Sequence, residues 1–254
     1  MPTKPTRKSS SGNTAQMNNA KTAASKIVAR GSDASPSKPH KASTRGKRPT
    51  KADATARGIE NVCVYCGSGV GANPRYAEAA RTLGQCLAAT NVGLVYGGGG
   101  LGLMGEVARA TLQAGGRVTG IIPEFLTHKE HMLREVNKLM ITKDMHERKR
   151  LMFEHSDAFV ALPGGIGTLE ELVEQLTWSQ LGQHAKPIVV ANIAGFWDPF
   201  LKLLAHMRDD QFIRNGINVH FIVVDDAKAI VPAILAATQV KPQEVSDAAI
   251  TAKF

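Results

Sequence analysis

From residue 61 onward the chain repeats one unit, a short unbroken apolar run followed by a stretch with helical spacing. The runs are Val62–Tyr65, Gly93–Tyr96, Arg117–Ile122, Ala158–Ala161, Pro187–Ala191 and Phe221–Val224, with Lys138–Ile141 a further short one. The helical stretches are 74–89, 105–114, 145–155, 168–181, 197–208 and 227–237. A strand with one wet face alternates apolar and polar residues, whereas a strand covered on both faces reads as a continuous apolar run. Strands of the second kind, each followed by a helix, predict an α/β fold. The expected architecture is a Rossmann-like doubly wound parallel sheet with helices on both faces. Ligands of such sheets bind beyond the carboxyl ends of the strands.

The repeat does not reach the first 57 residues. That segment holds 13 of the 31 Lys and Arg but only Asp33 and Asp53 among the acids, a balance of +11. The rest of the chain therefore carries −2. The basic character belongs to a tail, and the folding part is near neutral, so no specific nucleic-acid binding is expected of it. A segment so poor in large apolar residues buries too little surface to offset its ordering entropy. The expected organisation is a disordered basic tail over 1–57, one domain over 58–240, and a C-terminal extension over 241–254. For the tail, a solvated segment is favoured over a transit peptide or a weak polyanion-binding arm. No apolar run is long enough for a membrane span, and no secretory h-region is visible near the start. A cytoplasmic location is expected, with organelle targeting by the tail as the alternative.

Three cysteines, Cys63, Cys66 and Cys86, make no disulfide framework and suit a reducing compartment. Cys63 and Cys66 have CxxC spacing. A redox pair wants its first thiol at a helix N-terminus, and a zinc site wants a second pair. Buried strand cysteines are the expectation.

Two glycine clusters fall at strand ends. The first, Gly97-Gly98-Gly99-Gly100-Leu101-Gly102-Leu103-Met104-Gly105, follows a predicted strand. Bare backbone N–H groups approach an anion closely there, and a helix N-terminus adds its positive end. It contains a GxGxxG, with Glu124 at about the distance of a ribose-binding acid, which keeps a dinucleotide open. The second is Pro163-Gly164-Gly165-Ile166-Gly167-Thr168, followed by Glu170 and Glu171. It lacks the lysine of a triphosphatase loop. Thr168 and Glu171 have capping-box spacing, and Glu170 reads as complementing the helix dipole. Upstream lies the charged helix Met145-His146-Glu147-Arg148-Lys149-Arg150. The apolar residues around it predict that at least one base leans inward.

These two motifs in order, MHERK over 145–149 and PGGIGTLEE over 163–171, closely resemble the Lonely Guy (LOG) family. Its members are cytokinin riboside 5′-monophosphate phosphoribohydrolases, formerly labelled lysine decarboxylases. Val64-Tyr65-Cys66-Gly67-Ser68 and the first glycine loop also resemble the family, and the likeness spans about residues 60–240. The resemblance implies hydrolysis of the N-glycosidic bond of a nucleoside 5′-monophosphate to free base and ribose 5-phosphate. It implies a catalytic pair, Arg148 and Glu171. It implies substrate contacts at Glu130, Lys149, Gly164, Gly165, Ile166, Gly167, Thr168, Leu169, Glu170 and Thr177. It implies a homodimer with the site at the interface.

The residues make chemical sense of that expectation. Glycosidic cleavage passes through an oxocarbenium-like transition state, which a carboxylate stabilises or serves by activating water. Glu171 takes that role, and Arg148 orients it or binds the phosphate. The N–H groups of both loops, Gly98 and Gly99 included, hold the 5′-phosphate. The histidines are scattered and carboxylates unpaired, so a metal-independent reaction without a cofactor is expected. An AMP nucleosidase of broad specificity, or a nucleotide-binding module without turnover, are the alternatives.

Overall fold

The computed structural model describes residues 58–129, 131–213 and 220–239. The predicted tail and the C-terminal extension lie outside these residues. Seven strands form one all-parallel sheet in the order β4-β3-β2-β1-β5-β6-β7. They are β1 Asn61–Tyr65, β2 Gly93–Tyr96, β3 Val118–Pro123, β4 Lys138–Thr142, β5 Ala158–Ala161, β6 Ile188–Ala191 and β7 Ile222–Val224. The helices are α1 Pro74–Ala89, α2 Gly102–Gln113, α3 Met145–Glu154, α4 Ile166–Gln180, α5 Asp198–Asp209 and α6 Ile230–Gln239. The doubly wound reading holds.

The unbroken apolar runs have a direct explanation in β1. Val62 and Val64 belong to the core that includes Leu83 and Leu87 of α1, Leu103 and Val107 of α2, and Ile230 and Ile234 of α6. Cys63 and Tyr65 belong to a second core, with Met152 of α3, Phe159, Leu172 and Leu176 of α4, and Trp197. Successive side chains enter opposite faces, and both faces are covered. The same alternation separates the two thiols. Cys63 lies in the second core and Cys66 in the first, both buried.

Strand order reverses beside β1, which pairs with β2 on one side and β5 on the other, Cys63 lying opposite Val95 and Phe159. The loops after β1 and β5 therefore diverge from a common crevice, the position where doubly wound sheets bind ligands. No helix among the described residues is long and apolar enough to cross a membrane.

Most element boundaries fall within a residue of expectation; α6 begins at Ile230, three residues later than expected, behind a separate turn over Ala227–Ala229, and two helices begin earlier. α2 starts at Gly102, where the expectation was Gly105. A positive φ of 57° at Gly102 turns the chain, and the Leu103 N–H donates to the carbonyls of Gly67 and Gly69 at 3.0 and 3.3 Å. α4 starts at Ile166, where the expectation was Thr168.

Candidate active site

The crevice is built by backbone contact between two glycine-bearing loops. The Gly67 N–H, just past β1, donates to the Pro163 carbonyl past β5 at 3.1 Å. A Cβ on Gly164 would stand 2.9 Å from the Gly67 nitrogen and overlap the Thr168 hydroxyl. Only a bare Cα fits there. Beside this contact opens a cleft of about 260 Å³, whose lining includes Ser68, Val70, Tyr76, Leu103, Gly165 and Phe196.

The early start of α4 changes what its first turn can do. Gly165 is the cap residue, extended at φ −92° and ψ −159°, and has no side chain to fold back. The N–H groups of Ile166, Gly167 and Thr168 have no acceptor among the described residues. A helix end leaves such donors for water or a ligand. Gly165, Ile166 and Gly167 are exposed, Ile166 at 81%. The result is an open, positively polarised helix end facing solvent.

The predicted capping box is therefore overturned. Thr168 is the third residue of the helix and buried, not its cap. Glu171 lies deeper still, and its carboxylate meets Arg148. Glu170 stands beyond the first turn and pairs with Lys149, so it does not serve the helix dipole. The box belongs to α3. There the Asp144 carboxylate accepts from the Glu147 N–H at 2.8 Å, and the Glu147 carboxylate accepts from the Lys143 N–H at 2.8 Å. The donation from Glu147 holds the Asp144 pKa below its ordinary value.

The first glycine loop differs from the second. The leading N–H groups of α2 are taken by the loop after β1, Leu103 as above and Met104 by Gly67 O at 3.4 Å. Gly98 and Gly99 are buried. Gly98 O accepts from Leu133 N–H at 3.1 Å, Gly99 bridges Met132, and Gly100 N–H donates to His131 O at 2.9 Å. The segment 131–133 is stitched to this loop. Glu124 sits on an exposed turn after β3.

The cap on α3 fixes the helix that carries Arg148. The inward base is this one, with 6% of its surface exposed. Its Nη2 stands 3.8 Å from Glu171 Oε1, and both side chains are about nine-tenths buried. Nη1 lies 3.7 Å from Met145 Sδ, and Nε is buried with no partner among the described residues. Behind Glu171 stand Cys63 and Tyr65. Burial, with the Glu171 charge adding to it, pushes both of their pKa values up, so the wall behind the carboxylate is neutral. A buried guanidinium with unspent donors beside a buried carboxylate is a costly arrangement for the fold, and it suits chemistry better than stability.

Lys149, the next residue, takes another direction. Its Nζ reaches Glu170 Oε1 at 2.5 Å and Glu174 Oε1 at 3.0 Å. Burial lowers its pKa, and the two carboxylates outweigh that effect and raise it. Leu169 is half-buried in α4. Thr177 is exposed further along the helix, its hydroxyl donating to Val173 O at 2.8 Å. Glu130 lies outside the described residues. The structure thus brings Arg148 and Glu171 together, and the second glycine loop opens the helix that carries Glu171. It sets Thr177 about 16 Å along the helix axis from Ile166. Met145 and Gly97 lie against Arg148, and Glu174 pairs with Lys149; sequence reasoning gave none of the three a role in the site. The Glu170–Glu174 spacing of four was the available signal for Glu174. Among the described residues no cluster of three or more His, Cys, Asp or Glu is placed to hold a metal.

A family profile described as "Possible lysine decarboxylase" matches residues 104–234, more than half of the chain. A cytokinin riboside 5′-monophosphate phosphoribohydrolase of Arabidopsis thaliana is 44% identical over 173 residues, covering 68% of this chain and 76% of that protein. A probable enzyme of the same name from Oryza sativa subsp. japonica is 48% identical over the same shares. Among solved structures, the Moco carrier protein of Chlamydomonas reinhardtii superposes with a TM-score of 0.55 at 21% identity, over 72% of this chain and 99% of that one. The molybdenum cofactor binding protein of Rippkaea orientalis gives 0.54 at 21% identity, over 71% and 98%. At that identity the structural likeness carries the fold alone.

Proposed function

The chain belongs to the LOG family, and from that premise we propose that it hydrolyses the N-glycosidic bond of a nucleoside 5′-monophosphate. The observation that carries the reading is the buried Arg148–Glu171 pair set behind an open helix N-terminus. In this reading the 5′-phosphate takes the N–H groups of Ile166, Gly167 and Thr168, where dipole and donors favour a dianion. Gly98 and Gly99, tied into backbone pairing, shape the site from below. Glu171, well past the first turn, meets the sugar rather than the phosphate. Its carboxylate faces positive charge as the C1′–N bond breaks and the electron pair leaves with the base. Water adds to C1′ as Glu171 takes its proton, and the departing base nitrogen takes a proton from solvent. Arg148 aims Glu171, and its Nε serves an incoming oxygen.

Lys149 acts by holding Glu170 and Glu174 along the rim. Its proposed contact with substrate is shared with Glu170, and Glu130 is a further proposed contact.

A homodimer with the site at its interface is part of the same proposal. Ile166, Val173, Thr177 and Leu181 follow one another at intervals of seven, four and four residues, which is one stripe of α4. Ile166, Val173 and Leu181 are exposed at 81, 42 and 67%. Apolar side chains aligned in this way mark a contact surface. Thr177 is too far along the helix for a phosphate held at Ile166 of its own chain, and a second copy would bring it to the neighbouring site.

The deciding experiment is a substrate panel of adenosine 5′-monophosphate, its isopentenyl derivative, the corresponding di- and triphosphates, and free nucleosides. Base release confined to the monophosphates is expected, and preference between the first two separates a cytokinin-directed enzyme from a broad AMP nucleosidase. Equal turnover of free nucleosides would overturn the role of the helix end.

A further inference from the structure

Most glycines of the first loop are demanded by the backbone. Gly98 has φ +77°, and a Cβ there would press on Ile122 at 2.9 Å. Side chains on Gly100 or Gly105 would run into the main chain of His131 or of Gly100. Gly97 is different. Its φ lies outside the left-handed region, so any residue could adopt its backbone. The obstacles to a side chain are the tip of Arg148, with Nη2 overlapping and Cζ at 3.3 Å, and Met104 Sδ at 3.1 Å. Both are ends of flexible side chains, which can move without disturbing the sheet.

Arg148 is otherwise loosely held. Its other contacts are a thioether at 3.7 Å and a carboxylate at 3.8 Å, and Nε has no partner among the described residues. No bidentate fork fixes the guanidinium plane. The tip of the guanidinium, Nη2, points at the bare Cα of Gly97 just past the end of β2.

We propose that Gly97 is a positioning residue, whose missing side chain leaves the room that the tip of the Arg148 guanidinium occupies, and that even a methyl group there displaces Arg148 from Glu171. The inference rests on the reading of Arg148 and Glu171 given above. Its signature is unusual for a buried glycine: a large loss of activity with little loss of fold.

The test is a double-mutant cycle with G97A, R148A, G97A/R148A and, as a control on the underlying reading, E171Q. Base release is measured with whichever of adenosine 5′-monophosphate and its isopentenyl derivative turns over faster, alongside Tm. A misplacement of about 1 Å costs on the order of 100-fold, so G97A is expected to lose about 10- to 100-fold in kcat. KM should stay within about threefold, since ground-state binding is carried by α4. In the R148A background the same glycine substitution should cost nothing further. Full kcat in G97A overturns the proposal, as does a G97A effect that persists undiminished without Arg148. If G97A does not fold, G97A/R148A decides. A double variant with the Tm of R148A supports the coupling, and one that also fails to fold makes the glycine structural and ends the proposal. Full activity in E171Q would instead remove the catalytic reading, while the Tm cycle still reports the Gly97–Arg148 contact.

Discussion

Arg148 and Glu171 face each other at 3.8 Å from two different helices, each side chain about nine-tenths withdrawn from water. Neither has an obvious structural duty that an apolar residue could not perform more cheaply. Replacing a buried ion pair by well-packed apolar side chains is often neutral or stabilising, whereas removing one partner costs about 3–5 kcal/mol.

Glu171→Gln should therefore lose both activity and stability. Loss of a general base or charge stabiliser corresponds to about 10²- to 10⁴-fold in kcat. The double variant R148M/E171L should regain most of the lost Tm while remaining inactive. Thermal unfolding and base-release assays on the same preparations check both halves. A double variant as unstable as the single one would show that the pair holds the fold together.

Ile166→Pro removes one N–H of the proposed phosphate site, with Ile166→Ala as the control for loss of the side chain from the stripe. Proline is tolerated as the first helical residue, and the extended Gly165 before it suits a following proline. A hydrogen bond to a charged group contributes about 1.5–3 kcal/mol, so KM for the monophosphate should rise about 10- to 100-fold with kcat little changed. Circular dichroism should show the helix intact. An unchanged KM would place the phosphate elsewhere.

His184 predicts an acid-side loss of stability. It is buried, its Nδ1 accepting from the Lys186 N–H at 3.1 Å and its Nε2 bonded to Gln175 O at 3.2 Å. Burial lowers its pKa, the Gln175 bond offsets that in part, and the Lys186 charge adds to the lowering. The unfolded chain then takes up a proton as pH falls through about 6.5 while the native protein does not. The contribution is complete above that value and lost progressively as pH falls toward the lower native pKa. The Tm advantage of wild type over His184→Asn should shrink across that interval. A difference that stays flat from pH 7.5 to 5 would contradict the assignment.

Leu181→Asp and Val173→Asp address the stripe on α4. Each places a charge among residues expected to meet a second copy, at a position exposed enough to leave the monomer folded. Light scattering should report a dimer for wild type and a smaller species for the variants, with activity falling alongside. A wild-type monomer that turns over substrate would remove the interface from the mechanism.

Much of this was legible in the sequence because it depends on local pattern. The runs around Val62, Leu94 and Phe159 could only be strands covered on both sides. Pro74 marks the start of α1, and there the Asn73 side chain accepts from Arg75 N–H at 3.0 Å. The inward lean of α3 could be inferred from its apolar neighbours. The first turn of α4 was misread because Thr168 and Glu171 satisfy a capping pattern that does not know where the helix begins. The extended Gly165 lets α4 start two residues sooner, and the glutamate was left for another partner. The capping role fell to Asp144 and Glu147, where the same spacing was present with aspartate in front. Gly97 carried no signal, because the reason for its missing side chain is a residue 51 positions away.

β5 pairs only with β1 and β6, and it lies in the chain between α3 and α4. The guanidinium and the carboxylate thus hang from opposite ends of one four-residue strand, and its seating against β1 acts as the ruler that sets their separation. A pair so placed is calibrated by register rather than by its own attraction. Val160 or Ala161, which touch no ligand in any reading offered above, would then alter turnover through spacing alone if a bulkier residue shifted the strand.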